Sequence, residues 1–221
     1  MIRGIVFTFS LLAATALDAG TVIVSQGTTP DFYSLNMGGP NVFTGYGTQG
    51  WTTGSSGYSN VEIDATLGGL DQLGGDVVDA YLTTSIGQGT TSLDEIASSL
   101  GIAVSNDGYS SIALFTGLSL NANQSYYLTI APEGSDRVSW GSDSSQPAPV
   151  LDTGVSLITG AYCTDDVAGC ADYAPASPFG SWDANFIFSA TEESSTPEPA
   201  SGALLITGAG LVWLRRRSAV K

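Results

Sequence analysis

The sequence contains no histidine among its 221 residues. Without an imidazole, the chain cannot form a Ser-His-Asp or Cys-His catalytic group, an H-E-x-x-H zinc site or any other histidine-ligated metal centre. Its single lysine is Lys221, so the body of the chain has no Ser-Lys nucleophile and no Schiff-base lysine. No glycine-rich phosphate-binding motif lies in a strand-turn-helix setting. Carboxylates are therefore the main groups left for chemistry, and we predict a protein that is not an enzyme.

Basic residues are also scarce, and five of the six lie in the terminal segments. The span from Gly20 to Glu198 has twenty acids against one base, Arg137, and so carries a net charge of −19. Such a surface repels phosphate backbones and anionic lipid headgroups. We therefore exclude nucleic acid as a partner. Calcium or a neutral glycan is compatible with this charge, and the alternative is that scattered acids only keep the protein soluble.

The chain has two cysteines, Cys163 and Cys170. In an exported protein we expect them to form a disulfide, which would close an eight-residue loop and stabilise it by about 2.5 kcal/mol. Redox chemistry is the alternative, but the spacing is not C-x-x-C. Asp165 and Asp166 lie in this loop near Asp172, and such oxygen ligands suit calcium. No D-x-[DN]-x-[DN]-G loop is present, and we predict no other cofactor.

The N-terminal residues 1–19 have the parts of a secretory signal peptide. Arg3 precedes an apolar run from Gly4 to Ala16, and Ala14-Thr15-Ala16 has the form of a leader-peptidase site. Cleavage after Ala19 fits equally well. A membrane anchor is the alternative, but the run is too short to span a hydrocarbon layer about 30 Å thick.

The C-terminal residues form an ordered series of signals. A polar linker over residues 191–199 ends in Pro197-Glu198-Pro199, where the prolines keep the chain extended. The apolar run Ala203–Leu214 and then Arg215-Arg216-Arg217 follow within the tail, residues 200–221. The arginines would stay on the cytoplasmic side. Fifteen residues before the arginines give about 22 Å of helix, which is short for a permanent span and fits a tail that is removed.

This tail resembles the PEP-CTERM sorting signal of Gram-negative bacteria that make exopolysaccharide. The resemblance rests on the Pro-Glu-Pro tripeptide, the glycine-punctuated apolar run and the arginine cluster. It implies export, removal of the leader by signal peptidase, a transient inner-membrane anchor, cleavage by an exosortase, and delivery to the outer surface or exopolysaccharide matrix. The apolar run is shorter than usual, and four residues follow the arginines. An ordinary C-terminal anchor is the alternative.

Between these ends, residues 20–190 are predicted to form one all-β domain, a β-sandwich or jelly roll, followed at the tail by a short hydrophobic helix. Short β-branched and aromatic runs bounded by turn residues indicate the strands. Asn106-Asp107-Gly108 predicts the turn of a hairpin. Ser92–Leu100 has capping-box spacing, which predicts a short helix. The predicted strands are Thr21–Val24, Val61–Ala65, Val77–Thr83, Ile102–Val104, Ile112–Leu114, Tyr126–Ile130, Val155–Ile158 and Asn185–Phe188.

Two segments, Ala80–Thr84 and Leu120–Leu128, are similar to the choice-of-anchor β-sandwich modules that often precede sorting tails of this type. The similarity implies the same fold and no particular activity.

Aromatic residues and carboxylates supply the candidate ligand sites of the domain. Trp51, Trp140 and Trp182 lie in glycine- and serine-rich stretches and could stack on sugar rings, as could Tyr58, or could instead fill the ends of a sandwich. The carboxylates available to a glycosidase are Glu62, Asp64, Asp79, Glu133 and Asp183, of which the first two share one strand face.

We therefore expect a non-enzymatic envelope or matrix protein sorted by its C-terminal tail. The first alternative is a glycan-binding sandwich, with or without calcium. The others are a carboxylate glycosidase and an ice-binding protein, although no regular T-x-T ladder is present.

Overall fold

A computed structural model describes residues 20–27, 30, 35–38, 45–70, 75–87, 90–143, 145, 147–163 and 186–193. Within these residues the chain forms twelve strands and no helix. The expected all-β class is therefore confirmed for the described part of the chain. The strands are β1 (Thr21–Gln26), β2 (Leu35–Met37), β3 (Tyr46–Thr52), β4 (Tyr58–Gly69), β5 (Asp76–Thr83), β6 (Glu95–Val104), β7 (Ser110–Leu120), β8 (Ser125–Pro132), β9 (Val138–Trp140), β10 (Val150–Leu151), β11 (Ser156–Cys163) and β12 (Phe188–Glu192).

The strands build two antiparallel sheets. The larger sheet has seven strands in the order β10-β1-β12-β4-β9-β2, with β7 paired to β4. The smaller sheet has five strands in the order β11-β3-β8-β5-β6. Gly20–Ser195 forms one compact unit that holds all twelve strands.

Side-chain alternation explains how each strand contributes to the core. In β4 the buried side chains of Val61, Ile63 and Ala65 alternate with half-buried polar ones. Successive side chains of a strand point to opposite faces, so this pattern gives β4 one buried face. β5 shows the same alternation, with Val78, Ala80 and Leu82 fully buried.

Both sheets share this core, so the architecture is sandwich-like. Trp51 on β3 of the smaller sheet packs against Phe188 on β12 of the larger one, with ring centroids 5.6 Å apart. Trp51 also lies 6.0 Å from Tyr126 on the neighbouring strand β8. The contact between Trp51 and Phe188 joins the two facing sheets, and the contact with Tyr126 supports Trp51 from within its own sheet.

Most predicted strands are confirmed. The segments at Thr21–Val24, Val77–Thr83 and Tyr126–Ile130 all lie in strands, namely β1, β5 and β8. The segment Val155–Ile158 overlaps the start of β11. The last predicted strand begins later than expected, since β12 starts at Phe188 and Phe186 makes only an isolated bridge to Ser142.

The predicted hairpin around residues 106–108 is wrong. β6 and β7 are joined by this turn, but β6 pairs with β5 in the smaller sheet and β7 pairs with β4 in the larger one. The turn therefore carries the chain from one sheet to the other. A hairpin and a crossover of this kind have similar turn residues, and only the partners of the two strands distinguish them.

The predicted helix at Ser92–Leu100 is also wrong. Strand β6 begins at Glu95, and Asp94 caps a turn by accepting hydrogen bonds from the amide and hydroxyl of Thr91. β6 pairs with β5, which places Ala97 opposite Leu82, and the Ala97 side chain packs against the core. This tertiary pairing overrides a local pattern worth only a few tenths of a kcal/mol per residue.

The predicted signal peptide and sorting tail lie outside the described residues, as does Cys170. No segment that could cross a bilayer as a helix occurs in the part of the chain that the structure describes. The strand β12 ends at Glu192, two residues beyond the predicted end of the domain.

Truncating Trp51 tests the proposed joint between the sheets. We expect Trp51→Ala to lower the free energy of unfolding by about 3–5 kcal/mol, because it removes a fully buried ring that contacts both sheets. Urea denaturation followed by circular dichroism measures this. The matched control is Val150→Ala, since Val150 is 59% exposed and its truncation should cost less than about 0.5 kcal/mol. Equal effects of the two substitutions would contradict the role of Trp51.

Candidate functional site

The described tryptophans are core residues. Trp51 and Trp140 are both fully buried, so neither presents a ring face to a ligand in solution. Trp140 stacks on Phe186 at 4.7 Å and donates a hydrogen bond from Nε1 to the Ile187 carbonyl, 3.1 Å away. Nε1 of Trp51 is buried without an acceptor, so packing alone holds that indole. Both rings are buried in the core, so the prediction that these two residues stack on sugar rings is wrong.

Tyr58 also belongs to the body of the fold rather than to an exposed surface. It begins β4, and its hydroxyl donates a hydrogen bond to Oδ2 of Asp152 at 2.9 Å. Burial and then this carboxylate raise the pKa of Tyr58 to about 12. The phenol therefore stays protonated at neutral pH and ties β4 to the turn after β10.

Glu62 and Asp64 lie together on the outer face of the larger sheet. They alternate along β4 with the buried Val61, Ile63 and Ala65, as the sequence predicted. Strand β12 runs beside them, with Thr191 opposite Glu62 and Ser189 opposite Asp64.

One further carboxylate, that of Glu193, joins this face after the end of β12. Glu193 follows that strand, and its carboxyl is hydrogen-bonded to the carboxyl of Glu62. A backbone hydrogen bond also links the two segments here, since Glu193 N donates to the Asn60 carbonyl at 3.0 Å. Glu192 accepts hydrogen bonds from the amide and hydroxyl of Ser59, at 2.8 and 3.2 Å. Because Glu192 lies opposite the buried Val61, it belongs to the other face of the sheet. We call Glu62, Asp64 and Glu193 the acidic face.

Sequence reasoning missed Glu192 and Glu193 because it placed them in the linker. The one available signal was the apolar alternation that begins at Phe186 and continues through Phe188 to Ala190, which extends the strand toward the glutamates. Their positions opposite Val61 and beside Glu62 depend on which strand β12 pairs with, and the local sequence does not specify that partner.

The electrostatics of the acidic face raise the pKa of both Glu62 and Asp64. The hydrogen bond to Glu193 raises the pKa of Glu62, and burial and the nearby Asp64 add to that effect. Burial also raises the pKa of Asp64, while the hydroxyl of Ser189, 3.5 Å from Oδ2, opposes the change. Two carboxyls in contact repel each other when both are ionised, so the contact with Glu193 favours the protonated form of Glu62.

The other carboxylates considered for a glycosidase lie elsewhere. Asp79 is on β5 of the smaller sheet, where Oδ1 accepts a hydrogen bond from Gly101 N at 2.9 Å and Oδ2 accepts one from the Tyr81 hydroxyl at 3.3 Å. Glu133 is exposed in the turn after β8. The structure therefore brings Glu62 and Asp64 together but places Asp79 and Glu133 apart from them.

The remaining predicted site residues lie outside the described residues. This applies to the calcium candidates Asp165, Asp166 and Asp172, to Trp182 and Asp183, and to the sorting motif. Cys163 ends β11, but its presumed partner Cys170 is not described, so the disulfide stays a prediction. Among the described residues no group of three or more acidic or cysteine side chains is arranged to hold a metal ion.

Comparison with known proteins gives no relative. No protein-family model, no curated protein and no solved structure matches this chain.

Substituting Glu62 tests the electrostatics of the acidic face. We expect Glu62→Gln to raise the free energy of unfolding at pH 7 by about 0.5 kcal/mol, because the amide removes repulsion with Glu193 and Asp64. Since the folded-state pKa of Glu62 is raised, the repulsion is absent at low pH and develops as the pH rises through that pKa. The advantage of the variant should therefore vanish near pH 3, below the ordinary range of a glutamate pKa.

Urea denaturation at several pH values measures the effect. The matched control is Glu133→Gln, which removes the same charge from an exposed turn. A stability gain of Glu62→Gln that is independent of pH would contradict the proposed contact.

Proposed function

We propose that this chain is an exported, non-enzymatic protein of the bacterial envelope or its extracellular matrix, sorted by a PEP-CTERM tail. The observation that carries the proposal is the series Pro197-Glu198-Pro199, Ala203–Leu214 and Arg215-Arg216-Arg217 behind an N-terminal signal sequence. Signal peptidase and an exosortase are the processing partners that such a tail implies.

The limits of the folded body support this proposal. The first strand begins at Thr21, directly after the predicted cleavage site at Ala19, and the last strand ends at Glu192, before the Pro-Glu-Pro motif. Both predicted cleavages would therefore leave every described strand intact.

The positions of these two strands add a second argument. β1 and β12 are neighbours in the larger sheet, with Thr21 opposite Glu192. The folded body therefore begins and ends at neighbouring positions, where β1 starts and β12 ends in the larger sheet. A body tethered through its C-terminus would then also have its N-terminus near the membrane, where signal peptidase acts.

We further propose that the two sheets form a β-sandwich of the jelly-roll type. The shared aromatic core between β3 and β12 supports the sandwich. The acidic composition of the body supports a role away from anionic lipid once the tail is cut. Delivery into an exopolysaccharide matrix fits a protein of this charge, since neutral sugars impose no repulsion.

Paired proline substitutions test the sorting step in a Gram-negative host that carries an exosortase. We expect Pro197→Ala with Pro199→Ala to leave the protein uncleaved at the inner membrane, because the extended recognition segment is lost. Cell fractionation and the molecular mass of the retained species measure this.

The chain offers a matched control with the same spacing. Pro147-Ala148-Pro149 lies in the body between β9 and β10. The double variant Pro147→Ala with Pro149→Ala should reach the surface like the unmodified protein. Normal surface delivery of the Pro197 and Pro199 variant would refute the sorting proposal.

A further inference from the structure

One flank of the body ends in two long edge strands, one from each sheet. β6 is the last strand of the smaller sheet and pairs with β5. β7 pairs with β4 and forms an edge of the larger sheet. The short turn over residues 105–109 joins them, so the two edges lie side by side. We call this surface the β6–β7 flank.

The flank lacks two of the devices that usually protect an edge strand, namely basic residues and prolines, although β6 does contain bulges. Long edge strands in monomers usually carry charged residues, especially lysines, or prolines, which block pairing with a second molecule. β6 and β7 have ten and eleven residues, no basic residue and no proline. Their one charged residue is Glu95, at the start of β6. The edge strands β10 and β2 of the larger sheet, by contrast, have only two and three residues.

The charge distribution singles out the same flank. From Ile96 to Pro132 the sequence has one charged residue, Asp107, in a body that carries a net charge of −19. Two copies of such a body repel each other at most surfaces. The two edge strands of the flank add only one charge per copy, Glu95, to this repulsion.

Exposed apolar side chains lie on this flank. Leu93 is 94% exposed, Leu100 64% and Ile96 42%. The register of β6 against β5 shifts at two places, opposite Ile96 and next to Leu100. Such bulges redirect side chains, and here the residues beside the shifts are the exposed apolar ones. The bulges also limit a new ladder on β6 to the short stretch between them.

The partner that fits this flank is a second copy of the chain. Facing sheets lie about 10 Å apart, so a partner must present two strand edges at that same spacing. The same flank of another copy has this spacing, because the two molecules are identical. A two-fold axis would run the paired β6 strands antiparallel, which places the two Glu95 residues at opposite ends of the contact. A parallel arrangement would bring these carboxylates together.

We propose that two copies associate antiparallel through their β6–β7 flanks, so that each sheet continues across the contact. Ile96, Leu100 and Leu93 supply the apolar contact, and the flat stretch around Ser98 supplies the backbone pairing. The proposal does not depend on the sorting tail.

Sedimentation of the segment Gly20–Ser195 tests the association, because this segment contains all twelve strands and the described core. We expect a dimer across the micromolar range, and its dissociation constant should fall as salt is added, since salt screens the repulsion between the acidic bodies. Ile96→Lys with Leu100→Lys should weaken the dimer at least about tenfold by adding charge to the edge.

The matched control is Val22→Lys with Val150→Lys. These valines are 37% and 59% exposed at the opposite edge of the larger sheet, so the same change of charge there should leave the dimer intact or strengthen it. If the double lysine variant on β6 has a lower thermal midpoint, Ser98→Lys replaces it, since Ser98 is exposed between the two apolar residues.

Three results would overturn the proposal. The first is a monomer at every concentration. The second is a dimer that weakens with salt. The third is a dimer that the β6 and control variants disrupt equally.

Discussion

Burial of aromatic rings between the two sheets is the interaction on which the rest of this structure depends. Trp51 occupies a central position, because β3 lies inside the smaller sheet and Phe188 lies on β12 inside the larger one. A large ring buries about 150–250 Å² of surface, which makes such a pair a main source of stability in a core with few charges. A second buried aromatic pair is formed by Phe186 and by Trp140 on β9 of the larger sheet.

This use of aromatic residues explains why the body offers few ligand sites. The described tryptophans have their rings in the core, and Tyr58 is hydrogen-bonded to Asp152. Apart from a few exposed apolar side chains, such as those of the β6–β7 flank, the described surface carries small polar residues and carboxylates. On the outer face of β4, strand pairing with β12 holds like-charged carboxyls close together.

Local pattern was sufficient to predict the strands whose two faces differ. Val61, Ile63 and Ala65 alternate with Glu62 and Asp64, and the alternation fixes both the strand and its exposed face. β3 was missed because Gly47 and Gly50 interrupt its apolar pattern. The sequence therefore placed Trp51 in a loop, although it lies in a buried strand. Glycine at position 50 is needed there, since a Cβ would lie 2.8 Å from the ring of Tyr127.

Pairing between distant strands could not be predicted from local pattern. The turn after Val104 has hairpin residues, yet β6 and β7 belong to different sheets. Glu193 meets Glu62 only because β12 pairs with β4, more than a hundred residues earlier in the chain. The wrong hairpin, the wrong helix at Ser92–Leu100 and the failure to place Glu193 beside Glu62 all have this one cause.

The central claim is that the folded body is delivered without its two terminal segments. The intact mass of the protein recovered from its native host tests this most directly. The account predicts a mass that lacks the leader through about Ala19 and everything after about Glu198. A mass that retains residues 200–221 would contradict the account, because the C-terminal segment would then be a permanent anchor.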